Sequence, residues 1–252
     1  METHQVEFVK QLGGLLNSIG LQNPGIEYFL ENDLPWLRKQ DIAVIVNAGG
    51  NTAKEYTELC KILNDADIDG VELNISCPNV KSGGMAFGTS CDSAGEITRN
   101  VRNVLKDKPL IVKLSPNVTD IVSIAKTVEN AGADGISLIN TLLGMSINIE
   151  TRKPNLGNNI GGLSGPAIKP VAVRMVYQAS SNVKIPVLGM GGIMNGKDAI
   201  EFMMAGAKGV AVGSATLRDP LASVKVVEEI EEYMKLHSIE NINSIVGTVE
   251  LN

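Results

Sequence analysis

Gly189-Met190-Gly191-Gly192 and Gly213-Ser214 each close a short β-rich run and stand just before a helical pattern. Glycine-rich turns of this kind turn backbone N–H groups and a helix N-terminus toward a phosphate. Four more runs precede them, and all six are Ile42–Asn47, Gly70–Ile75, Leu110–Leu114, Gly135–Asn140, Ile185–Met190 and Gly209–Gly213. Most are nearly continuous apolar stretches, as in strands buried on both faces of a parallel sheet. Amphipathic segments lie between and after them, near residues 52–65, 93–106, 118–131, 167–180, 196–205 and 221–236. Ala131-Gly132-Ala133-Asp134-Gly135 and Ala205-Gly206-Ala207-Lys208-Gly209 each end a helix on glycine and enter the next strand. The class is therefore α/β with repeated βα units.

A (β/α)₈ TIM barrel usually places its phosphate site after strands seven and eight. If the two glycine turns are that site, the chain begins at strand three and holds about six βα units. The alternative is an open doubly wound sheet, which lacks its signature here because no GxGxxG follows the first strand. The expectation is a single, incomplete TIM-barrel domain over residues 1–252. The longest irregular stretch, Met145–Gly165, reads as a loop after a strand, and long loops in compact domains are often functional.

Bulk properties narrow the function. The chain has 252 residues, 44% hydrophobic and 20% charged, with a net charge of −6. That balance suits a globular core and argues against nucleic acid as the main partner. No apolar run reaches the ~18 residues of a membrane span, and the N-terminus lacks a signal peptide's blocks, so a cytoplasmic location is expected. Cys60, Cys77 and Cys91 form no CxxC pair, and only His4 and His237 are available, so no metal site is expected.

Polar residues recur at the C-terminal ends of the strands. They are Asn47, Asn74 with Cys77, Lys113 with Ser115, and Asn140 with Thr141. Barrel enzymes build their sites there, and amides and hydroxyls suit a planar heterocycle rich in C=O and N–H groups. Lys113 could stabilise negative charge on a reduced ring; a salt bridge is the simpler role. Cys77, in Asn74-Ile75-Ser76-Cys77-Pro78-Asn79, could be a nucleophile, a base or a small core residue. Lys81-Ser82-Gly83-Gly84 follows it and could be a lid or a plain surface loop. Cys60 sits in a helical pattern and reads as packing. Gly161-Gly162-Leu163-Ser164-Gly165-Pro166 leads into a helix, and its glycines would allow close approach to a ligand.

With these residues in place, the chain resembles class 1B dihydroorotate dehydrogenase, the catalytic subunit of the bacterial NAD-linked enzyme. The matching segments are Leu15–Gly25, Glu72–Lys81, Val112–Asp120, Ile139–Gly144, Gly161–Pro170 and Gly189–Gly192. The resemblance implies a TIM barrel holding FMN that oxidises dihydroorotate to orotate in pyrimidine synthesis. It implies Cys77 as the base for the C5 proton, with the C6 hydride passing to flavin N5. Asn17, Ser18, Ile19, Gly20, Leu21, Asn74, Asn140 and Thr141 would hold the orotate ring. Asn47, Asn74, Lys113, Ile139, Gly165, Gly191, Gly192, Gly213 and Ser214 would contact FMN. Electrons would pass to a second subunit carrying FAD and an iron–sulfur cluster, then to NAD, and a homo-oligomer is expected. The family's first two strands, with a Lys that contacts substrate and flavin, have no counterpart here. Two other readings follow from that gap or from the glycines alone: a remnant of the same fold without flavin redox activity, and another FMN- or phosphate-binding barrel such as a lyase or isomerase.

Overall fold

The chain is described from a computed structural model covering residues 8–11, 13–76 and 87–252. In chain order, strands β1 (Phe8–Gln11) and β2 (Gly14–Asn17) precede the short helices α1 (Ile26–Tyr28) and α2 (Leu34–Leu37). The alternating part runs β3 (Ile45–Ala48), α3 (Ala53–Asp65), β4 (Gly70–Asn74), α4 (Cys91–Val104), β5 (Leu110–Lys113), α5 (Ile121–Asn130) and β6 (Gly135–Leu138). Four short strands follow: β7 (Leu142–Met145), β8 (Ile147–Asn148), β9 (Lys153–Pro154) and β10 (Ile160–Ser164). The chain then forms α6 (Lys169–Ser180), β11 (Val187–Met190), α7 (Gly196–Met204), β12 (Gly209–Ala211) and α8 (Ala222–Leu236). Contacts divide it into two units, residues 20–137 and residues 1–19 with 138–252.

In the first of these, β3, β4, β5 and β6 pair side by side and in parallel. All five residues of β4 are buried, as its apolar run predicts. Helices α3, α4 and α5 each start on a residue whose side chain caps them. The Thr52 hydroxyl accepts from the Glu55 N–H at 3.1 Å, and Asp120 accepts from Val122 and Ser123 N–H at 3.0 and 3.1 Å. These bonds satisfy N–H groups that no helical carbonyl can reach. Tyr56, Cys60 and Leu63 then line one face of α3, and Ile121, Ile124, Ala125 and Val128 one face of α5. Their spacing of three and four residues is the helical period. Burying each large apolar side chain contributes about 1.5–3 kcal/mol. Burial also raises the Cys60 thiol to about 12, which agrees with its reading as packing.

The second unit holds an antiparallel sheet in the order β1-β2-β10-β7. The expectation of a plain loop over Met145–Gly165 is corrected here, because β8, β9 and β10 lie within it. Asn17 stands opposite Phe8 on one side and Gly162 on the other. The strands approach closely through glycine. A Cβ on Gly161 would lie 2.3 Å from the Asn17 carbonyl oxygen, and one on Gly162 would lie 2.1 Å from Thr141 Oγ1. Those two glycines therefore serve the chain's own packing, where the sequence suggested ligand approach. In the same unit β11 and β12 pair in parallel, and α7 packs on α8. Ile200, Met203 and Ile245 centre a small apolar cluster there, with Ile230 and Tyr233 against it.

Candidate active site

The sheet of residues 20–137 carries a polar row on one face. Register places Asn47 beside Glu72, Asn74 beside Lys113, and Lys113 beside Ser137. Side chains two residues apart on a strand share a face, so Glu72 and Asn74 point the same way. Glu72 is the hub. Its carboxylate accepts from Lys113 Nζ at 3.2 Å, from the Ser137 hydroxyl at 2.6 Å and from the Asn47 side-chain amide. Asn74 in turn donates to Asn47 Oδ1 at 3.3 Å and accepts from the Ser76 hydroxyl at 2.7 Å. The Tyr56 hydroxyl donates to the Asn74 carbonyl at 2.6 Å, which fixes the strand end from behind. Among the described residues Lys113 Nζ bonds Glu72 alone. An ammonium carries three donors, so two are left for a ligand.

Cys77 and the Lys81–Gly84 segment lie outside the described residues. The residues on either side of that stretch are joined, since the Gly88 N–H donates to the Ile75 carbonyl at 2.8 Å. Gly20 and Leu21 begin this unit. Leu21 lies over Gly49, where a Cβ would come within 2.8 Å of its methyl carbon.

The remaining candidates belong to the other unit. The Asn17 side chain donates to the Gly162 carbonyl at 3.2 Å, and Asn158 donates to the Ser18 carbonyl at 3.0 Å. The stretch leading to Ile19 is thus held against β10 and the turn before it. Asn140 accepts from the Thr141 N–H at 2.8 Å. Buried Ile139 donates its N–H to Met190 at 2.9 Å and stands 3.1 Å from where a Gly191 Cβ would be.

Gly192 has a φ of +87°, and a Cβ there would meet the Gly165 carbonyl oxygen and Lys169 Cβ, each at 2.8 Å. Gly165 and Gly192 therefore touch backbone to backbone. Lys169 fastens this corner: its ammonium bonds Asp198 at 2.8 Å and Glu201 at 2.5 Å. Both carboxylates hold the lysine above its ordinary range, Asp198 foremost. Asp198 also accepts from the Met194 N–H at 2.9 Å. At Gly213 nothing lies within 4 Å of a would-be Cβ, so the backbone before Ser214 is open to a ligand. Gly165 and Ser214 line one cavity of about 680 Å³.

Each unit by itself has residues of the kind FMN needs: the glycine corner leaves space and backbone donors suited to a phosphate, and the polar row of the other unit has a cation and amides suited to a ring. Among the described residues no cluster of His, Cys, Asp or Glu could hold a metal ion, and no helix is long and apolar enough to cross a membrane. Glu72, Ser137, Tyr56, Lys169 and Asp198 are additions to the set read from sequence. The signal for Glu72 was an acidic residue inside an otherwise apolar strand.

The chain belongs to the dihydroorotate dehydrogenase family: the family profile described as "Dihydroorotate dehydrogenase" matches residues 6–234. The match starts upstream of Leu15, where the first matching segment in the sequence begins. Among its relatives is a protein of Alkaliphilus metalliredigens named dihydroorotate dehydrogenase B (NAD(+)), catalytic subunit. It is 57% identical over 237 residues, 94% of this chain and 78% of the relative. A protein of the same name from Alkaliphilus oremlandii is 58% identical over 235 residues, 93% and 78% of the two chains. A crystal structure of the dihydroorotate dehydrogenase of Eimeria tenella, solved in complex with ferulenol, superposes with a TM-score of 0.78. It is 23% identical and covers 93% of this chain and 71% of its own. The fold is therefore that of the TIM-barrel family, with six of its parallel strands among the described residues.

Proposed function

We propose that this chain is the FMN-bearing catalytic subunit of a class 1B dihydroorotate dehydrogenase and oxidises dihydroorotate to orotate in pyrimidine synthesis. The observation that carries the reading is the identity of well over half across nearly the whole chain with relatives of that name. The polar row around Glu72 and the glycine corner at Gly165 and Gly192 support it. FMN, when bound, supplies the acceptor for the hydride leaving C6.

The chain's own residues do the rest. Cys77 takes the C5 proton, a task suited to a thiol because its ordinary pKa lies nearer neutrality than that of an alcohol. Asn17, Ser18, Ile19, Gly20, Leu21, Asn74, Asn140 and Thr141 hold the substrate ring. Lys113, fixed by Glu72, would offer its spare donors to the flavin ring, and Asn47, Asn74 and Ile139 would also contact FMN. Gly165, Gly191, Gly192, Gly213 and Ser214 receive the phosphate end.

Residues 1–252 would act as one FMN and dihydroorotate domain in the cytoplasm. The term "catalytic subunit" in the relatives' names supports an electron-transfer partner, which would carry FAD and an iron–sulfur cluster and pass electrons to NAD. Homo-oligomerisation is supported by exposed apolar residues: Met145 and Ile160 stand opposite each other across β7 and β10, and Leu143, Ile147 and Ile149 are exposed near them in sequence. Exposed patches of this kind mark interaction sites.

The test is direct. Purified protein should carry flavin, and its absorbance near the visible flavin maximum should bleach when dihydroorotate is added without oxygen. Cys77→Ser should retain flavin and bleach far more slowly at neutral pH. Colourless protein that takes up no FMN would overturn the reading.

A further inference from the structure

The cavity that Gly165 and Ser214 share has a second wall, made by the β1–β2 hairpin and the turn after Ser214. It brings Lys10, Leu15 and Arg218 to the same space. The hairpin is held there by its own ladder, in which Lys10 stands opposite Leu15. It is also held by the Ala167 N–H, which donates to the Gly13 carbonyl at 2.9 Å. Close contact at Gly165 adds to this, since a Cβ there would lie 2.9 Å from Gly14 Cα.

Lys10 and Arg218 are both exposed, and neither makes a salt bridge among the described residues. Other cations of the chain do: Arg38, Arg102, Lys113, Lys169 and Lys225 all face carboxylates. The acid nearest Arg218 in sequence, Asp219, is committed to Lys225 at 2.6 Å and to the Leu221 N–H at 3.0 Å. Two cations with no salt-bridge partner among the described residues thus border the cavity that carries the candidate phosphate contacts.

We propose that Lys10 and Arg218 supply the countercharge to the flavin phosphate and make the site selective for FMN over riboflavin. The inference rests on the FMN reading above and adds two residues to it. A phosphate monoester carries a charge of about −1.5 to −2 at neutral pH. Withdrawing that charge from water is costly unless it is paired, and backbone N–H groups bring only partial charges. Arg218 can meet two phosphate oxygens at once through its planar fork, whereas Lys10 acts as a point charge.

The test uses the full chain, stripped of flavin by dialysis against potassium bromide and titrated with FMN or riboflavin by flavin fluorescence. Lys10→Gln and Arg218→Gln should each weaken FMN about tenfold, the scale of one charge-assisted contact, and leave riboflavin affinity unchanged. Arg218→Lys should recover part of the loss, and the double variant should bind FMN with less dependence on salt. FMN affinity unchanged in both variants, beside a wild type that binds FMN, would overturn this inference alone. An equal loss for riboflavin would also overturn it, since the residues would then be structural. A wild type that binds neither flavin would overturn the functional reading with it.

Discussion

Replacing Glu72 by alanine should be among the most damaging single changes in the polar row. The side chains of Glu72 and Lys113 are only 11% and 19% exposed. The substitution leaves the Lys113 ammonium, the Ser137 hydroxyl and the Asn47 amide without their shared acceptor. Removing one partner of a buried ion pair costs about 3–5 kcal/mol. Total stability is on the order of 5–15 kcal/mol, so the loss is at least about a fifth of it. For a chain of this size it lowers Tm by roughly 6–20 °C. Urea unfolding followed by far-UV circular dichroism would measure it, because Trp36, the only tryptophan, is 61% exposed and a poor probe of the core. The decisive comparison is the double variant Glu72→Leu with Lys113→Met, which removes both charges and should be much less destabilised than the two single changes imply. The coupling should reach at least about 1 kcal/mol. Strict additivity, or a Glu72→Ala cost under about 1 kcal/mol, would refute the hub role of Glu72.

Three further outcomes are expected. Gly192→Ala forces a left-handed residue and a clash with Gly165 and Lys169; it should cost about 2 kcal/mol and weaken FMN binding, read by thermal unfolding and flavin titration. Asp120 is held below the ordinary aspartate range by Ser123, through its hydroxyl and its N–H, and by the Val122 N–H. Its stabilisation is therefore present above pH ~3.8 and is lost as pH falls through the lower folded value. Asp120→Ala should accordingly flatten the acid limb of a Tm-against-pH curve, and an unchanged limb would count against the cap. Cys60, with its thiol raised to about 12, should stay unalkylated by iodoacetamide at mildly alkaline pH until urea is added. The more exposed Cys91 should react in the native protein, and equal rates at the two sites would contradict the burial of Cys60.

The parallel strands and their helices were legible because each carries its own local signals. Thr52, Asp120 and Asn195 cap helices whose apolar residues repeat at three and four, and glycines punctuate the strand ends. The antiparallel sheet left no such trace. Its strands are four or five residues long, three of the four contain glycine, and β2 and β10 pair across distant parts of the chain. Periodicity needs more residues than that to show. The polar strand ends gave Asn47, Asn74 and Lys113, yet the residue joining Asn47 to Lys113 sits inside a run read as apolar. Glu72 is tolerated there only because three donors converge on it, a fact that lies in the register between strands. The simpler reading of Lys113 as a salt-bridge partner is also what the structure has, and the pair leaves the lysine donors to spare.

The pairing of β2 with β10 sets an order of events on the ribosome. Asn17 and the Gly162 carbonyl it bonds are separated by 145 positions in the chain. Residues 8–17 can pair with one another as a hairpin as soon as they emerge, but the free edge of β2 meets β10 only after that whole length has been made. At synthesis rates of about 5–20 residues per second the wait is roughly 7–30 s. Residues 20–137 are contiguous and pair only neighbouring strands, so they can assemble during that interval. Until β10 is made, the hairpin therefore carries one unpaired strand edge, the side of β2 that later meets Gly162 to Ser164, and an open edge of that kind is a template for wrong pairing.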